Sequence, residues 1–331
     1  MSESKEKVLR LLKENANSYL SGQDIADRLY ITRAGIWKII KSLREEGYDI
    51  DSVTNRGYRL NTSLDCVNAS FIESGLSKIK ENPKCFVFDE VTSTNDVAKN
   101  LPSKDNVDGD ILVIADSQTE GRGRKGRVFF SPKDTGLYLS LLTHPEIPFS
   151  KATAITCIAA ESLVLAVKDV LDIDVTIKWV NDIFYGDKKV AGILTETFGS
   201  LEEEYPEYVI VGMGINVYPF GSKLPAQIKN KAGYLVSDGK PVDNLKNLLC
   251  VKFIEYFYHY LKEADKKTFL EGYRKHSNLI GKYVKIDSYG KSSKKEYALV
   301  TGIDDECRLT VLYDDSKEAA LVGKEVSVVK Y

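Results

Sequence analysis
The chain has 331 residues, enough for about two or three domains. Its hydrophobic content of 43%, charged content of 28% and net charge of -2 are ordinary for a soluble globular protein. It contains no run of about 18 apolar residues, which excludes a transmembrane helix, and the charged start MSESKEKVLR lacks the apolar stretch of a secretory signal. The cysteines (Cys66, Cys85, Cys157, Cys250 and Cys307) are scattered without a CxxC, as expected of a reducing cytoplasm. The histidines (His144, His259 and His276) are equally dispersed and predict no structural zinc site.

From the N-terminus, Val8, Leu11 and Leu12 recur at helical spacing over residues 4–15. Ser21 with Asp24 predicts the start of a short helix with Ile25, Ala26 and Leu29 inward. Thr32 is placed to cap a third helix over residues 33–46, with Ile36, Ile39, Ile40 and Leu43 on one face and Gly47 as its C-cap. Arg33, Lys38, Lys41 and Arg44 lie on that helix, the pattern of a helix-turn-helix. Gly35 inside it implies close approach to a neighbouring helix or to DNA. Two short strands around Asn55 and Gly57 then predict a hairpin wing. Residues 1–62 carry eleven basic against nine acidic side chains, a net +2 in a chain of net -2. Short helices, a basic second helix and a basic wing together predict a DNA-binding module over 1–62. Its candidate contacts are Gly22, Gln23, Thr32, Arg33, Ala34, Trp37, Lys38, Lys41 and Arg56.

A polar linker over 61–69, a helix over 71–81 and a strand over 85–91 follow. Ser93 and Asp96 then read as a helix start, whose hydroxyl and N–H groups face whatever lies at that strand end, or serve only as a cap. Between two predicted strands, Gly121-Arg122-Gly123-Arg124-Lys125-Gly126-Arg127 packs three glycines and four cations into seven residues. Glycines admit close backbone approach and arginines match phosphate or carboxylate, so the loop suits a nucleotide phosphate or a nucleic-acid backbone. A buried helix is predicted over 150–171, then a strand over 175–179, a break at Val180-Asn181-Asp182, a hairpin turning at Gly186-Asp187, and a return strand over 188–196. Lys189, beside small Ala191 and Gly192, either snorkels to water or reaches an anion. Gly212 and Gly214 in the next strand suggest close approach by a ligand. Residues 219–233 form a long polar loop of the kind that can act as a lid. Helices are predicted over 242–275, with Phe253, Tyr256, Phe257 and Tyr260 as core, and four short strands over 280–331 predict a small barrel.

With these segments in order, the chain resembles the biotin protein ligases, and among them the bifunctional type that is also the biotin operon repressor. GRGRKGR followed by an aromatic and FSP, KWVNDIFYGDKKVAGILTE, GMGINV, the STN after the first strand and Gln118 all match family motifs, and the resemblance spans essentially the whole chain. It departs at Val180, where the family has Pro, which leaves that turn less rigidly fixed. At Phe129, in place of Trp, it keeps an aromatic face without the indole N–H.

The resemblance implies an α+β multidomain fold. A winged helix-turn-helix would occupy 1–62, and a mixed α/β catalytic domain resembling class II aminoacyl-tRNA synthetases 66–278. An SH3-like β-barrel would occupy 279–331. It implies formation of biotinyl-5′-AMP from biotin and ATP with Mg²⁺, then transfer of biotin to a lysine of a biotin carboxyl carrier protein. It implies catalysis by Arg122, Arg124 and Lys189. Biotin or adenylate would be bound by Ser93, Thr94, Asn95, Gln118, Arg122, Gly123, Arg124, Lys189, Gly192, Gly214 and Asn216, and Asp182 is a candidate Mg²⁺ ligand. Biotinyl-5′-AMP would act as co-repressor, ordering the 121–127 loop and driving a homodimer that binds operator DNA, with no membrane role. A ligand-sensing regulator without catalysis and a lipoate ligase are the alternatives; keeping both GRGRKGR and Lys189 argues against the first, and GRGRKGR with the winged helix argues against the second.

Overall fold
The computed structural model describes residues 3–15, 18–45, 48, 50–60, 65–105, 109–200, 202–220, 224–236, 242–287, 296–322 and 325–328. The chain forms two compact units, Met1–Cys66 with Pro241–Asn244, and Val67–Lys240 with Leu245–Tyr331.

In the first unit, α1 (Glu3–Glu14), α2 (Gly22–Leu29) and α3 (Arg33–Glu45) precede a hairpin of β1 (Ile50–Val53) and β2 (Gly57–Leu60). The helical apolar spacing resolves into one core of Val8, Leu12, Ile25, Ile36, Ile40, Leu43, Ile50 and Leu60. Ser21 Oγ accepts from Gln23 N at 3.1 Å and Thr32 Oγ1 from Gly35 N at 3.1 Å, so both expected caps form. The expected C-cap Gly47 lies outside the described residues. A β-carbon on Gly35 would stand 2.8 Å from Ile31 Cγ2, so this glycine admits the preceding turn of its own chain rather than another helix. The wing is larger by one residue than the sequence suggested. Leu20 pairs with Tyr58 through two backbone hydrogen bonds of 2.8 Å. At Gly57 (φ +100°) a β-carbon would meet the Leu20 carbonyl oxygen at 1.9 Å, so glycine is required there.

The second unit runs through α4 (Ala69–Leu76), β3 (Lys84–Val91), α5 (Thr94–Asp105), β4 (Ile111–Gln118), β5 (Gly136–Thr143), α6 (Ala152–Leu171), β6 (Thr176–Lys178), β7 (Asp182–Tyr185), β8 (Lys188–Phe198) and β9 (Tyr208–Asn216). It continues with α7 (Leu245–Lys262), α8 (Thr268–Lys275), β10 (Tyr283–Asp287), β11 (Glu296–Ile303), β12 (Leu309–Tyr313), β13 (Glu318–Leu321) and β14 (Glu325–Val328). Strands β3 to β9 form one seven-stranded sheet in the order β3-β4-β5-β9-β8-β7-β6, parallel only between β3 and β4. Strand β5, beside the central strand β9, is buried along its whole length, which accords with its largely apolar sequence. Helices α6 and α7 contribute Leu163, Val167, Phe253 and Phe257 to the main core. On α5, Ala98 and Leu101 close a second core with Ile111, Val113, Leu142 and Ile210.

The C-terminal segment is an antiparallel sheet in the order β13-β12-β11-β10-β14, one strand more than the sequence suggested. The unanticipated strand, β13, reads EAAL, and alanine and glutamate are poor strand formers. Val284, Ile286, Ala298, Val300, Val311 and Val326 continue the same core as the central sheet, so the segments expected at 66–278 and 279–331 share one compact unit. The architecture is thus α+β: a helix-turn-helix with a wing, a mixed central sheet with helices, and a small antiparallel sheet. No described helix is long and apolar enough to cross a membrane.

One packing detail gives a stability prediction. Glu161 is 1% exposed within α6, its Oε2 lies 2.9 Å from His276 Nδ1, and a β-carbon on Gly272 would stand 2.2 Å from its Oε1. Gly272→Ala should therefore push the carboxylate away from its partner and cost about 1–3 kcal/mol, the usual price of overpacking. A urea-denaturation midpoint unchanged from wild type would contradict this.

Candidate functional site
The site is built on the β8–β9 ladder. Gly192 pairs with Gly214 and Leu194 with Gly212, which strips β-carbons from one stretch of sheet and leaves a backbone floor. Side chains from three directions close over it. Phe129 lies on the floor: a β-carbon on Gly214 would stand 2.3 Å from its ring, and one on Gly192 would stand 3.4 Å from it. Asn95 fills the place at Gly212, where a β-carbon would stand 2.0 Å from its Oδ1. The glycines thus do permit close approach, and the approaching groups are the protein's own: Asn95 at Gly212, Phe129 at Gly214 and Lys189 at Gly192.

At the C-terminal end of β4, Gln118 holds the start of α5. Its Oε1 accepts from Thr94 N at 2.9 Å and from Thr94 Oγ1 at 3.2 Å, and its Nε2 donates to Ser131 Oγ at 2.9 Å. Ser140 Oγ lies 2.7 Å from Thr94 Oγ1 and 2.6 Å from Asn95 Oδ1, and Asn95 Nδ2 donates to Glu196 Oε2 at 2.6 Å. Ser93, Thr94 and Asn95 are buried in this network. Ser93 stands at the start of α5, its carbonyl accepting from Val97 N at 3.0 Å, and it also lines the cleft.

The basic loop folds back on itself. Arg122 bridges Val128, Gly123 N donates to the Arg127 carbonyl at 2.6 Å, and Phe129 N donates to the Gly121 carbonyl at 2.7 Å. The tip turns at Lys125 (φ +61°) and Gly126 (φ +71°). Beyond the loop, Tyr138 Oη donates to the Pro132 carbonyl at 3.0 Å, and burial raises that phenol above its ordinary value, so it stays a neutral donor.

Each cation meets its own partner. Arg122 pairs with Asp96 at the start of α5. Arg124 Nη1 donates to Asn181 Oδ1 at 3.1 Å. Lys189 Nζ donates to Asp182 Oδ1 at 2.6 Å. Asn181 is itself tied to β8, its Nδ2 donating to the Ile193 carbonyl at 2.9 Å and its carbonyl accepting from Ile193 N at 3.0 Å. The result is a narrow cleft of about 50 Å³.

Of the sequence candidates, Ser93, Thr94, Asn95, Gln118, Arg122, Gly123, Arg124, Lys189, Gly192 and Gly214 all line this cleft. Asn216 does not; it is buried, its Nδ2 donates to the Gly233 carbonyl at 3.1 Å, and its Oδ1 has no hydrogen-bond partner among the described residues. Asp182 does not line the cleft; it pairs with two residues that do, Lys189 through its carboxylate and Gly192 in the β7–β8 ladder. Phe129 and Asn181 line the cleft without having been singled out as site residues. Their signals were the aromatic after GRGRKGR and the polar break in an apolar hairpin. Asp96, expected only as a cap residue, holds Arg122. The described part of the 219–233 loop is fastened to β8 and β9, with Lys189 N bonding the Lys231 carbonyl, Gly233 N the Lys189 carbonyl and Leu235 N the Asn216 carbonyl.

In the first unit, Arg33, Ala34, Trp37, Lys38 and Lys41 form one exposed stripe of α3, with Thr32 exposed just before it and Gln23 exposed on α2. Gln23 Nε2 donates to Asp27 Oδ1 at 2.7 Å, and Gly22 packs near Tyr58, where a β-carbon would stand 3.2 Å from the ring. Trp37 is 56% exposed, with Lys41 Nζ 5.9 Å from its ring centroid. On the wing, Arg56 and Arg59 flank the Tyr19 ring at 5.5 and 4.7 Å.

Three cations gathered at a glycine floor in one unit, and a basic recognition helix in the other, define a ligase-type anion site joined to a helix-turn-helix domain. Comparison with known proteins agrees. Residues 87–216 match the biotin/lipoate A/B protein ligase family and residues 4–59 match an HTH domain. The chain is 36% identical over 225 residues to the bifunctional ligase/repressor BirA of Bacillus subtilis, covering 68% of each protein. It is 27% identical over 328 residues to BirA of Escherichia coli, covering 97% of this chain and 96% of that one. Among solved structures, the biotin protein ligase from Aquifex aeolicus in complex with biotin and ATP superposes with a TM-score of 0.60 at 27% identity, over 74% of this chain and 99% of that one. The chain belongs to the biotin protein ligase family, in its bifunctional ligase/repressor branch with an N-terminal helix-turn-helix.

The floor supplies a second stability prediction. Gly212→Ala should drive Asn95 off its contacts with Ser140 and Glu196 and cost about 1–3 kcal/mol through buried groups left unpaired. A thermal midpoint matching wild type would show that Asn95 is not held there.

Proposed function
We propose that the protein condenses biotin with ATP to biotinyl-5′-AMP in the glycine-floored cleft, transfers biotin to a lysine of a biotin carboxyl carrier protein, and represses biotin genes when the adenylate persists. The observation that carries this reading is the convergence of Arg122, Arg124 and Lys189 on a backbone floor. In the first step a biotin carboxylate oxygen attacks the α-phosphorus and pyrophosphate leaves. Carboxylate and triphosphate repel, so pre-placed cations lower the barrier. Arg122 held by Asp96, Arg124 by Asn181 and Lys189 by Asp182 are aimed before substrate arrives, which reduces the cost of ordering them. In the second step the acceptor amine attacks the carbonyl of the mixed anhydride, AMP departs with the bonding pair, and the amine loses a proton. No side-chain nucleophile is needed.

Ser93, Thr94, Asn95, Gln118, Gly123, Gly192 and Gly214 form the biotin and adenylate pocket. Phe129 lies on the floor at Gly214 and swings aside to admit ligand. Asp182 would hold Mg²⁺: its carboxylate, now paired with Lys189, is a hard oxygen donor, and Mg²⁺ is commonly held by one or two carboxylates together with substrate phosphates. When bound, Mg²⁺ neutralises phosphate charge. Gly22, Gln23, Thr32, Arg33, Ala34, Trp37, Lys38, Lys41 and Arg56 contact operator DNA.

The test is pyrophosphate release by the purified chain with ATP, Mg²⁺ and either biotin or lipoate. Release with biotin alone is expected; release only with lipoate would favour a lipoate ligase, and release with neither would favour a sensor. Lys189→Ala should slow adenylate formation by roughly 10²–10³-fold, the scale for one lost charge-stabilising donor. An unchanged rate in the folded variant would make Lys189 a surface lysine.

One winged helix of small net charge reads few base pairs, so a monomer binds operator weakly, and two copies on a palindrome gain by effective concentration. Adenylate binding is expected to order residues 121–127 and promote the homodimer, and linkage requires operator DNA to tighten adenylate binding in return. Operator affinity at one fixed salt concentration should rise from free protein to biotin to biotinyl-AMP. Equal affinity in all three would remove the switch.

A further inference from the structure
The turn that carries Asn181 is held from behind by parts of the chain that do not touch the cleft. Tyr273 of α8 is fully buried, and its hydroxyl donates to the Val180 carbonyl at 2.9 Å. Trp179 Nε1 donates to the Cys307 carbonyl, in the C-terminal sheet between β11 and β12, at 2.9 Å. The neighbouring strand β6 is fixed in the same way, with Ile177 N bonding the His276 carbonyl at 2.8 Å and Asn278 N bonding the Ile177 carbonyl at 2.9 Å. Residues 179 and 180 are therefore pinned on both sides, and residue 181 follows directly. Asn181 then spends its side chain on two tasks: Nδ2 locks to β8 through the Ile193 carbonyl at 2.9 Å, and Oδ1 receives Arg124 at 3.1 Å.

We propose that Tyr273 and the Cys307 turn of the C-terminal sheet are positioning elements for adenylation, which aim Arg124 at the triphosphate through the Trp179-Val180-Asn181 turn. The proposal rests on the ligase reading above and adds a role for the C-terminal sheet in the first chemical step. Its physical basis is that a buried hydroxyl–carbonyl bond defines a carbonyl's position to a fraction of an ångström, and small misplacement of a charge-stabilising group is costly. Burial pushes the Tyr273 phenol well above its ordinary value, more than the Arg124 charge lowers it, so the hydroxyl remains a donor at neutral pH. Arg122 answers to Asp96 on α5, apart from this turn; Lys189 answers to Asp182, which follows the turn but is also held in the β7–β8 ladder opposite Gly192. Biotin contacts built on Ser93, Thr94, Asn95 and Gln118 belong to a separate network. The effect should therefore fall on ATP and not on biotin.

The experiment uses the full chain with Tyr273→Phe, which keeps the ring and removes the hydroxyl, and Trp179→Phe, which removes the indole N–H. Biotin-dependent exchange of labelled pyrophosphate into ATP is measured with each, together with biotin affinity by titration without ATP and the thermal midpoint. Each variant should lower kcat/KM for ATP about tenfold, the scale of one lost buried hydrogen bond, while biotin affinity stays within twofold of wild type. In an Arg124→Lys background, Tyr273→Phe should cause little further loss, because the group it positions is already compromised. Unaltered ATP kinetics in both variants, or an undiminished tenfold fall in the Arg124→Lys background, would overturn the proposal. So would a biotin affinity that falls in step with ATP use, which marks general loosening of the fold. A wild-type chain without biotin-dependent exchange would instead refute the ligase reading itself.

Discussion
The cleft depends on the register between β8 and β9, in which Gly192 faces Gly214 and Gly212 lies one pair along on the same face. A one-residue slip would turn these glycines to the opposite face and put side chains where the floor now lies. The register is held by nine consecutive residues of β9 paired along β5 and β8, with β5 buried throughout. The main core beneath, supplied by α6 and α7, therefore does more than stabilise the fold. It fixes the stretch of sheet in which Gly192, Gly212 and Gly214 leave the backbone without β-carbons.

Around that floor the charges are arranged so that none is left to wander. Four cations within a seven-residue loop repel one another, and long side chains carry rotamer entropy. Pairing each site cation with a carboxylate or amide from a different element limits both costs. Arg122 is taken by α5, Arg124 by the β6–β7 turn and Lys189 by β7. These partners are exposed or half-buried, so the pairs contribute little to stability; their consequence is geometric.

Much of this was legible in the sequence, and the limits are physical. The GRGRKGR loop, Lys189 and the glycines announced themselves because cations and glycines are dense there and because their order matched a known family. The helix caps at Ser21 and Thr32 followed from local hydrogen-bonding chemistry, which a sequence states directly. Asn181 and Phe129 were passed over as site residues because their roles depend on partners distant in sequence: Asn181 meets Arg124 across 57 positions, and Phe129 meets Gly214 only once the sheet has closed. The tie between Trp179 and Cys307 spans 128 positions and leaves no local trace. Strand β13 was missed because EAAL has little strand propensity and forms through pairing with β12. Val180, expected to loosen its turn in place of proline, lies buried under a hydrogen bond from Tyr273.

We propose that biotin and ATP react over the backbone at Gly192 and Gly214 once Phe129, which now covers it, has moved aside. Biotin-dependent pyrophosphate exchange into ATP, compared between wild type and Gly214→Val at matched thermal stability, tests it most directly. Exchange is expected in wild type and its loss in Gly214→Val, because the added side chain would stand where the Phe129 ring now lies, 2.3 Å from a β-carbon there, and would keep that place filled when the ring moves aside. Exchange at the wild-type rate in a folded Gly214→Val protein would contradict it.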